Sequence, residues 1–385
     1  MSIEHVAIIG AGVAGLTVAL ALAQRGIAST VIEQAAELTE VGAGLQLSPN
    51  ATRILERLGV LRALQSVWLE PESIRLRSGT RLSSIAEVPL GSFARERWQA
   101  PYGVLHRATL QKTLLAAVSA QQLCRLVTGQ RIDSPSMEAF EAICGRAPDV
   151  VIGADGVWSV VRQRIAGAEP ARFSGNIAWR MLLPQEEAPD FIERDKVTAF
   201  LGPASHLVAY PLKDSGHVNL VAIAHGRDPG KGWDHGVVNR TELSHAFRAW
   251  HPRIRAMIDG IEQPRLWPLY EMPEGAWSNS RDTILIGDAA HAVTPFAAQG
   301  AAMAIEDAYE LALALAMQAP ADAIRAFATK RKPRVKKIGK RGAFNRFVYH
   351  VRGPLALGRN LVLKLRPPHE VAADLDWIYE YRAEW

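Results

Sequence analysis

Three stretches of this chain repeat one order of signals: a short apolar run of buried-strand type, a glycine turn, and a helix start without bulky side chains. In the first, His5–Ile9 leads into Gly10-Ala11-Gly12-Val13-Ala14-Gly15 and an alanine-rich helix from Leu16 to Gln24. Gly26 ends that helix and Ser29–Ile32 reads as a second strand. In the second, Asp149–Ile152 runs into Gly153-Ala154-Asp155-Gly156, with Arg162 in the helical segment that follows. In the third, Ile284-Leu285-Ile286 exits through Gly287 to Asp288, and Ala301–Ala308 are good helix formers. Strands that alternate with helices in this way predict an α/β fold with a parallel sheet.

Elsewhere the period changes. Ser66–Trp98 is irregular and strand-like, with a turn at Ser78-Gly79. From Arg172 to Glu274 the alternation has period two, which predicts strands at Asn176–Leu183, Lys196–Leu201, His206–Leu212 and His217–His225 in a mostly antiparallel sheet. Helices are predicted from Pro49, capped by Ser48 and striped by Ile54, Leu55 and Leu58, and from Arg107, with Leu110, Leu114, Leu115 and Val118 inward. Leu311–Met317 reads as an apolar helix, and Trp377, Ile378 and Tyr381 recur at helical spacing that docks the tail onto the body. The expected organisation is a discontinuous nucleotide-binding domain (1–70, 100–170 and 275–330), an inserted β-sheet domain (71–99 and 171–274) and a C-terminal helical segment (331–385).

Length and composition agree with a two-domain soluble enzyme: 385 residues, 48% hydrophobic and 22% charged. The uncharged run Val6–Ala23 has the length of a membrane span, but its flank carries Glu4 and no basic residue, and Gly10, Gly12 and Gly15 interrupt it. A cytoplasmic protein with no stable membrane insertion is expected. Cys124 and Cys144 lack CxxC spacing and the 11 histidines form no HExxH pattern, so reduced thiols and no metal site are expected. The net charge of +5 is concentrated in Lys330–Arg341, which holds eight basic residues and no acid. That run reads as a solvated helix face broken near Pro333, or alternatively as a patch that steers an anionic cofactor or substrate. Without a repeating aromatic and basic pattern, nucleic acid is not an expected partner.

The chemistry follows from the turns. In GAGVAG, Gly10 makes the turn, Gly12 lets a pyrophosphate reach the backbone, and Gly15 lets helix and strand pack closely. Glu33, at the end of the second strand, suits the two hydroxyls of a ribose and disfavours a phosphate there, so FAD or NAD fits better than NADP. Small residues at 297, 298 and 300–302 open the third helix start to a flat ring or an anion. Asp288 is placed to accept a ribose or ribityl hydroxyl. The turn Val41–Leu47 is a simple loop or a cofactor contact, and Asp155-Gly156 a cap or a phosphate-side contact. Arg107, unfavourable in a helix's first turn, either meets an anion or carbonyl or is a surface residue. His206 and Tyr210 share one strand face, as a proton-handling pair or as a polar edge.

Taken together, GAGVAG with Glu33, VIGADGVWSVVR and ILIGDAAHAVTPFAAQGAAMAIEDA resemble the single-component, class A FAD-dependent aromatic hydroxylases, the para-hydroxybenzoate hydroxylase fold. GAGLQLSPN, HLVAYPL, TPFAAQGAAMAIEDA and the terminal DWIYEY look most like the branch with salicylate hydroxylase, 3-hydroxybenzoate 6-hydroxylase and 6-hydroxynicotinate 3-monooxygenase. The resemblance implies a Rossmann-like FAD domain with an inserted substrate sheet. It implies NADH or NADPH and O₂ as co-substrates, and hydroxylation of a small phenolic or hydroxy-aromatic acid through a C4a-hydroperoxyflavin that decays to H₂O₂ if water reaches it. Gly10, Gly12, Val13, Ala14 and Gly15 would hold the pyrophosphate, Glu33 the ribose, and Gln46 and Arg107 the ribityl and phosphate part. Ile132 would lie near the adenine, Asp155 and Arg162 would serve both FAD and NAD(P)H, Asp288 would bind the ribityl chain, and Ala298, Gln299, Gly300, Ala301 and Ala302 would lie beneath the isoalloxazine. Gln34 stands where many members have arginine, which leaves its adenine contact open. His206 is implied as base or relay, Tyr210 as substrate orienter, and Pro295 as lying beside the reacting carbon with its carbonyl free. Trp179, Arg180 and Phe296 are further pocket candidates, Arg180 for a carboxylate or as a sheet-edge residue. A monomer or homodimer is expected. The alternatives are an epoxidase or tailoring oxygenase for a larger apolar molecule, a flavin-binding sensor without turnover, and a non-flavin NAD module.

Overall fold

The computed structural model describes residues 3–38, 44–230 and 240–384; Val41, Gly42 and Ala43 of the small-residue turn therefore lie outside the described residues. Among them the strands form three sheets. The first is parallel, in the order Thr283–Leu285, Val150–Gly153, His5–Ile9, Ala28–Ile32, Cys124–Val127. The three apolar runs that precede the glycine turns are three neighbouring strands of this sheet, with Thr283–Leu285 at its edge, side by side and pointing the same way. Every residue of His5–Ile9 and of the helix Val13–Ala23 is buried, as a strand covered on both faces demands.

The second sheet has seven strands in the order Arg265–Glu271, Arg172–Pro184, His217–His225, Ser205–Leu212, Lys196–Gly202, Ser73–Ser78, Ser84–Pro89. Lys196–Gly202 pairs parallel with Ser73–Ser78 and the other neighbours are antiparallel. The strand-like stretch 66–98 is thus joined to the long alternating stretch through one parallel ladder. Two helices, Arg240–Ala246 and Pro252–Gly260, interrupt the alternation and close the back of this sheet over Trp179, Phe200, Leu207 and Leu220. A two-stranded ribbon, Gly44–Leu47 with Gly103–His106, lies between the two larger sheets.

The C-terminal part departs from expectation. Pro320–His350 is a single helix of 31 residues that runs on through Pro333, so the basic run is not broken there. Nor is it only a solvated face. Arg331 is fully buried, with its guanidinium 2.8 Å from both Glu306 and Asp307 of the helix Gly300–Met317, which are themselves fully buried. Arg334 lies 2.6 Å from Glu306 and also donates to the carbonyls of Trp377 and Ile378, which seats the tail. Burial alone would raise the Asp307 carboxyl, but His291, Arg331 and the Gly287 N–H together hold it down at about 2. Both cysteines are free thiols, Cys124 half-buried and Cys144 buried, and burial raises both above the ordinary thiol value.

Arg331→Met should cost about 3–5 kcal/mol of unfolding free energy in a urea titration, because two buried carboxylates lose the cation they share and keep only Arg334 and His291. Since the folded-state value of Asp307 lies below that of an exposed carboxyl, its contribution is complete above about pH 4 and is lost as the pH falls toward about 2. Asp307→Asn should flatten that acid limb of the stability curve.

Candidate active site

The exits of the three parallel strands meet at one rim. Gly10, at φ +102°, sits so close to the second turn that a Cβ there would lie 2.6 Å from the Ala154 carbonyl. A Cβ on Gly15 would lie 1.9 Å from the Gly10 carbonyl, so packing within the chain demands both glycines. Gly287, at φ +57°, brings the third turn against Ala14 and Ala304. Arg162 ties the second turn to the third, donating to the carbonyls of Val157 (3.1 Å) and Ala289 (2.9 Å). Asp307 fixes the third turn from beneath by accepting from the Gly287 N–H (3.0 Å) and pairing with His291 (2.5 Å).

From this rim opens a cavity of about 680 Å³, within the range of small-molecule and cofactor sites. Gly10, Gly12, Glu33, Gln34, Arg107, Ile132, Asp155 and Arg180 line it, together with Trp158 and Trp267. Its features fit a dinucleotide. Gly12 has an ordinary φ of −76°, and a Cβ there would find no described atom within 4 Å, so its glycine leaves backbone open to the cavity rather than to the protein. A Cβ on Gly300, at the start of the helix beneath the third turn, would also find no described atom within 4 Å, although neither Gly300 nor Asp288 nor Ala298–Ala302 is among the residues that line this cavity. The Glu33 carboxylate is fixed by the Ala11 (2.8 Å) and Ala35 (2.9 Å) amides, which leaves lone pairs for ribose hydroxyls. Asp155 accepts from the Val160 amide through one oxygen, and the other oxygen is buried with no partner among the described residues. No described residue donates to the half-buried Asp288 carboxylate.

Other predicted residues are placed differently. Gln299 is buried and its side chain is spent on Ser48 and Asn50, so only its backbone can face a ligand. Ala302 is fully buried in the core, whereas Ala298 and Ala301 are half-buried, Ala298 in the left-handed region at φ 51°. The carbonyl of Pro295 accepts the Ala298 N–H (3.1 Å) to close a short 3-10 turn, so it is not free as expected. Gln46 is not among the cavity-lining residues and accepts from the Tyr102 hydroxyl (2.5 Å).

Across from the rim stands one face of the seven-stranded sheet. Ladder register puts His206 level with Ile223 and Ala178, Val208 with Val221 and Arg180, and Tyr210 with Asn219 and Leu182. Adjacent residues of a strand point oppositely, so Trp179 belongs to the other face. It is fully buried there against Phe247 (ring centroids 6.4 Å) and is withdrawn as a pocket residue. Arg180 remains, its guanidinium 4.3 Å from the Trp267 ring centroid. His206 and Tyr210 are not a contacting pair, because four residues of strand separate them by about 13 Å. Tyr210 instead fills the space beside Gly44, where a Cβ would lie 2.7 Å from its ring, and burial raises its hydroxyl. His206 packs against Phe296 (5.1 Å) and Tyr349 (5.4 Å), and its Nδ1 lies 2.9 Å from Nε2 of His350. Burial holds the His206 imidazole well below the ordinary value, and the His350 ring adds to this.

Comparison with known proteins decides the reading of this cavity. The FAD binding domain family matches residues 4–133 and 146–341. The chain belongs to this family of FAD-dependent aromatic monooxygenases. It is 35% identical to 3-amino-4-hydroxybenzoate 2-monooxygenase of Streptomyces platensis, over 98% of this chain and 96% of that enzyme. It is 33% identical to 3-hydroxybenzoate 6-hydroxylase of Klebsiella oxytoca, again over 98% and 96%. Among solved structures, a salicylate hydroxylase substrate complex superposes with a TM-score of 0.79 at 22% identity, covering 99% of this chain and 96% of that one. FAD is the cofactor of this monooxygenase, with NAD(P)H as co-substrate.

The sequence did not single out His350, Tyr349 or Trp267 of the monooxygenase. Trp267 had a signal, since Arg265–Glu271 alternates like the other strands. His350 had none: it ends a long helix whose terminus meets the sheet only through the tertiary fold. Gly12→Val should leave the flavin-free protein with an unchanged circular dichroism spectrum and melting temperature. The 450 nm flavin absorbance of the purified enzyme should fall by at least about ten-fold; retention of the full band would exclude Gly12 from the cofactor site.

Proposed function

We propose that this monooxygenase hydroxylates a small phenolic or hydroxy-aromatic acid, with the seven-stranded sheet as its substrate-binding unit. The observation that carries the proposal is the position of His206: fully enclosed, on the sheet face toward the cofactor rim, and stacked beside Phe296. Relatives that act on hydroxybenzoates and a hydroxynicotinate support the same substrate class.

In this reading Gly12, Val13 and Ala14 hold the pyrophosphate of FAD, Glu33 the ribose, Ile132 and Gln34 the adenine side, Arg107 the phosphate side and Asp288 the ribityl chain. The backbone of Ala298–Ala301 supports the ring system. When bound, FAD supplies electron transfer from NAD(P)H and the activation of O₂. The residues of the chain do the rest. A ring hydroxyl must lose its proton for the ring to become a good nucleophile. Because burial keeps His206 neutral at physiological pH, and its Nδ1 is engaged by His350, Nε2 is the acceptor for that proton. Arg180 receives the carboxylate, which is a charge-assisted contact in a partly dry site. Phe296, Tyr349 and Ile223 exclude water around the reacting carbon. No helix among the described residues is long and apolar enough to cross a membrane, and we place the enzyme in the cytoplasm.

Of 3-hydroxybenzoate, 3-amino-4-hydroxybenzoate and 6-hydroxynicotinate, at least one should stimulate NADH or NADPH oxidation at least about ten-fold and yield a product heavier by one oxygen atom. Arg180→Met should raise KM for that acid about 10- to 100-fold with a smaller change in kcat. Stimulation by none of them, or a product of unchanged mass, would overturn the proposal.

A further inference from the structure

His206 is too deep to exchange a proton with water by itself: it is 2% exposed and enclosed by Phe296, Tyr349 and His350. A base in that position serves repeated turnover only if its proton can leave. The structure offers a line of three imidazole rings outward. From Nδ1 of His206 the contact to Nε2 of His350 is 2.9 Å, a full hydrogen bond. From His350, half-buried at the end of the long helix, the ring of His225 is 6.4 Å away between centroids, a separation of the size that one bridging water spans. His225 is exposed at the end of its strand, on the same sheet face as His206, with Nδ1 tied to the Gly175 carbonyl at 3.0 Å. Three elements distant in sequence thus place three imidazoles in a row, from enclosed to half-buried to exposed.

We propose that His206, His350 and His225 form a proton path between the enclosed substrate chamber and the protein surface. The proposal rests on the hydroxylation reading above and deepens it. The substrate O–H bond breaks as an N–H bond forms on Nε2 of His206. The Nδ1 proton of His206 passes to Nε2 of His350, and the Nδ1 proton of His350 passes through water to His225 and bulk solvent. The reverse sequence returns a proton to the product phenolate and resets both tautomers, so no net charge accumulates. Each imidazole needs only to be neutral before and after the transfer, and the surroundings enforce this. Burial, then the His225 ring and the Arg346 and Arg352 cations, push His350 down to about 4. Arg359 donates to the neighbouring Val348 carbonyl (2.8 Å) and adds a further cation beside this helix end.

The test uses the flavin-loaded enzyme with 3-hydroxybenzoate as probe. His350→Phe keeps an aromatic ring against Phe296 and removes the relay nitrogens. Its kcat at pH 7 should fall at least about ten-fold with KM and flavin content changed less than about two-fold. Its log kcat should rise with pH up to the ionisation of the probe, and added imidazole should restore part of the rate. His225→Ala should show a smaller loss in the same direction. Wild-type kcat and pH profile in both variants would overturn the path. If the wild-type enzyme does not hydroxylate 3-hydroxybenzoate, whichever of the other two acids it hydroxylates replaces the probe; if it hydroxylates none of the three, it is the substrate reading that fails, and ¹⁵N-histidine NMR decides the path. One hydrogen-bonded ring N–H, lost both in His206→Phe and in His350→Phe, supports it; its absence from the wild-type spectrum overturns it.

Discussion

Two adjacent carboxylates, Glu306 and Asp307, lie where no water reaches them, and the terms on which they are neutralised organise much of the molecule. A buried ion is tolerated only when cations and hydrogen bonds replace its hydration. Asp307 meets this demand with the Gly287 N–H, His291 and Arg331, and so fixes the turn that carries Asp288. Glu306 meets it with Arg331, Arg334 and the Asn50 amide, and so fixes the helix start beneath Gly300 and the long C-terminal helix at once. The same cluster that holds the cofactor turn therefore also holds the tail, through Arg334 and the carbonyls of Trp377 and Ile378. The helix that ends in His350 is positioned by charges more than ten residues upstream of it.

Much of this was legible in the sequence because it is local. The three strand-turn-helix units are written in contiguous residues, and their adjacency in a parallel sheet follows from the rules by which such units pack. The pairing of His206 with His350 was not legible, since nothing in the spacing of residues 206 and 350 brings a strand to a helix end. Trp179 and Arg180 show a second limit: alternation says that neighbours point to opposite faces, but not which face meets the cofactor. Two short helices within the alternating stretch settled that by covering the Trp179 side.

Pro333 shows a third limit. Its missing N–H would break an isolated helix, yet Arg331 and Arg334 on either side are anchored to buried acids, and the tertiary ion pairs carry the helix through. Three acids inside an otherwise apolar helix, Glu306, Asp307 and Glu310, were the available signal that a basic partner had to be buried elsewhere. The charge excess of Lys330–Arg341 is its counterpart, so part of what reads as surface in composition is core in space.

The two thiols have a bearing on how long the enzyme lasts. An oxygenase that sometimes misses its substrate releases hydrogen peroxide inside its own fold, and the thiolate is the form of cysteine that peroxide attacks. Cys124 and Cys144 are both shifted away from ionisation by their apolar surroundings. Wasted catalytic cycles therefore find little thiolate to consume, and the gradual oxidative ageing of this protein falls on its thioethers instead, with the widely exposed Met317 the first in line among the described residues.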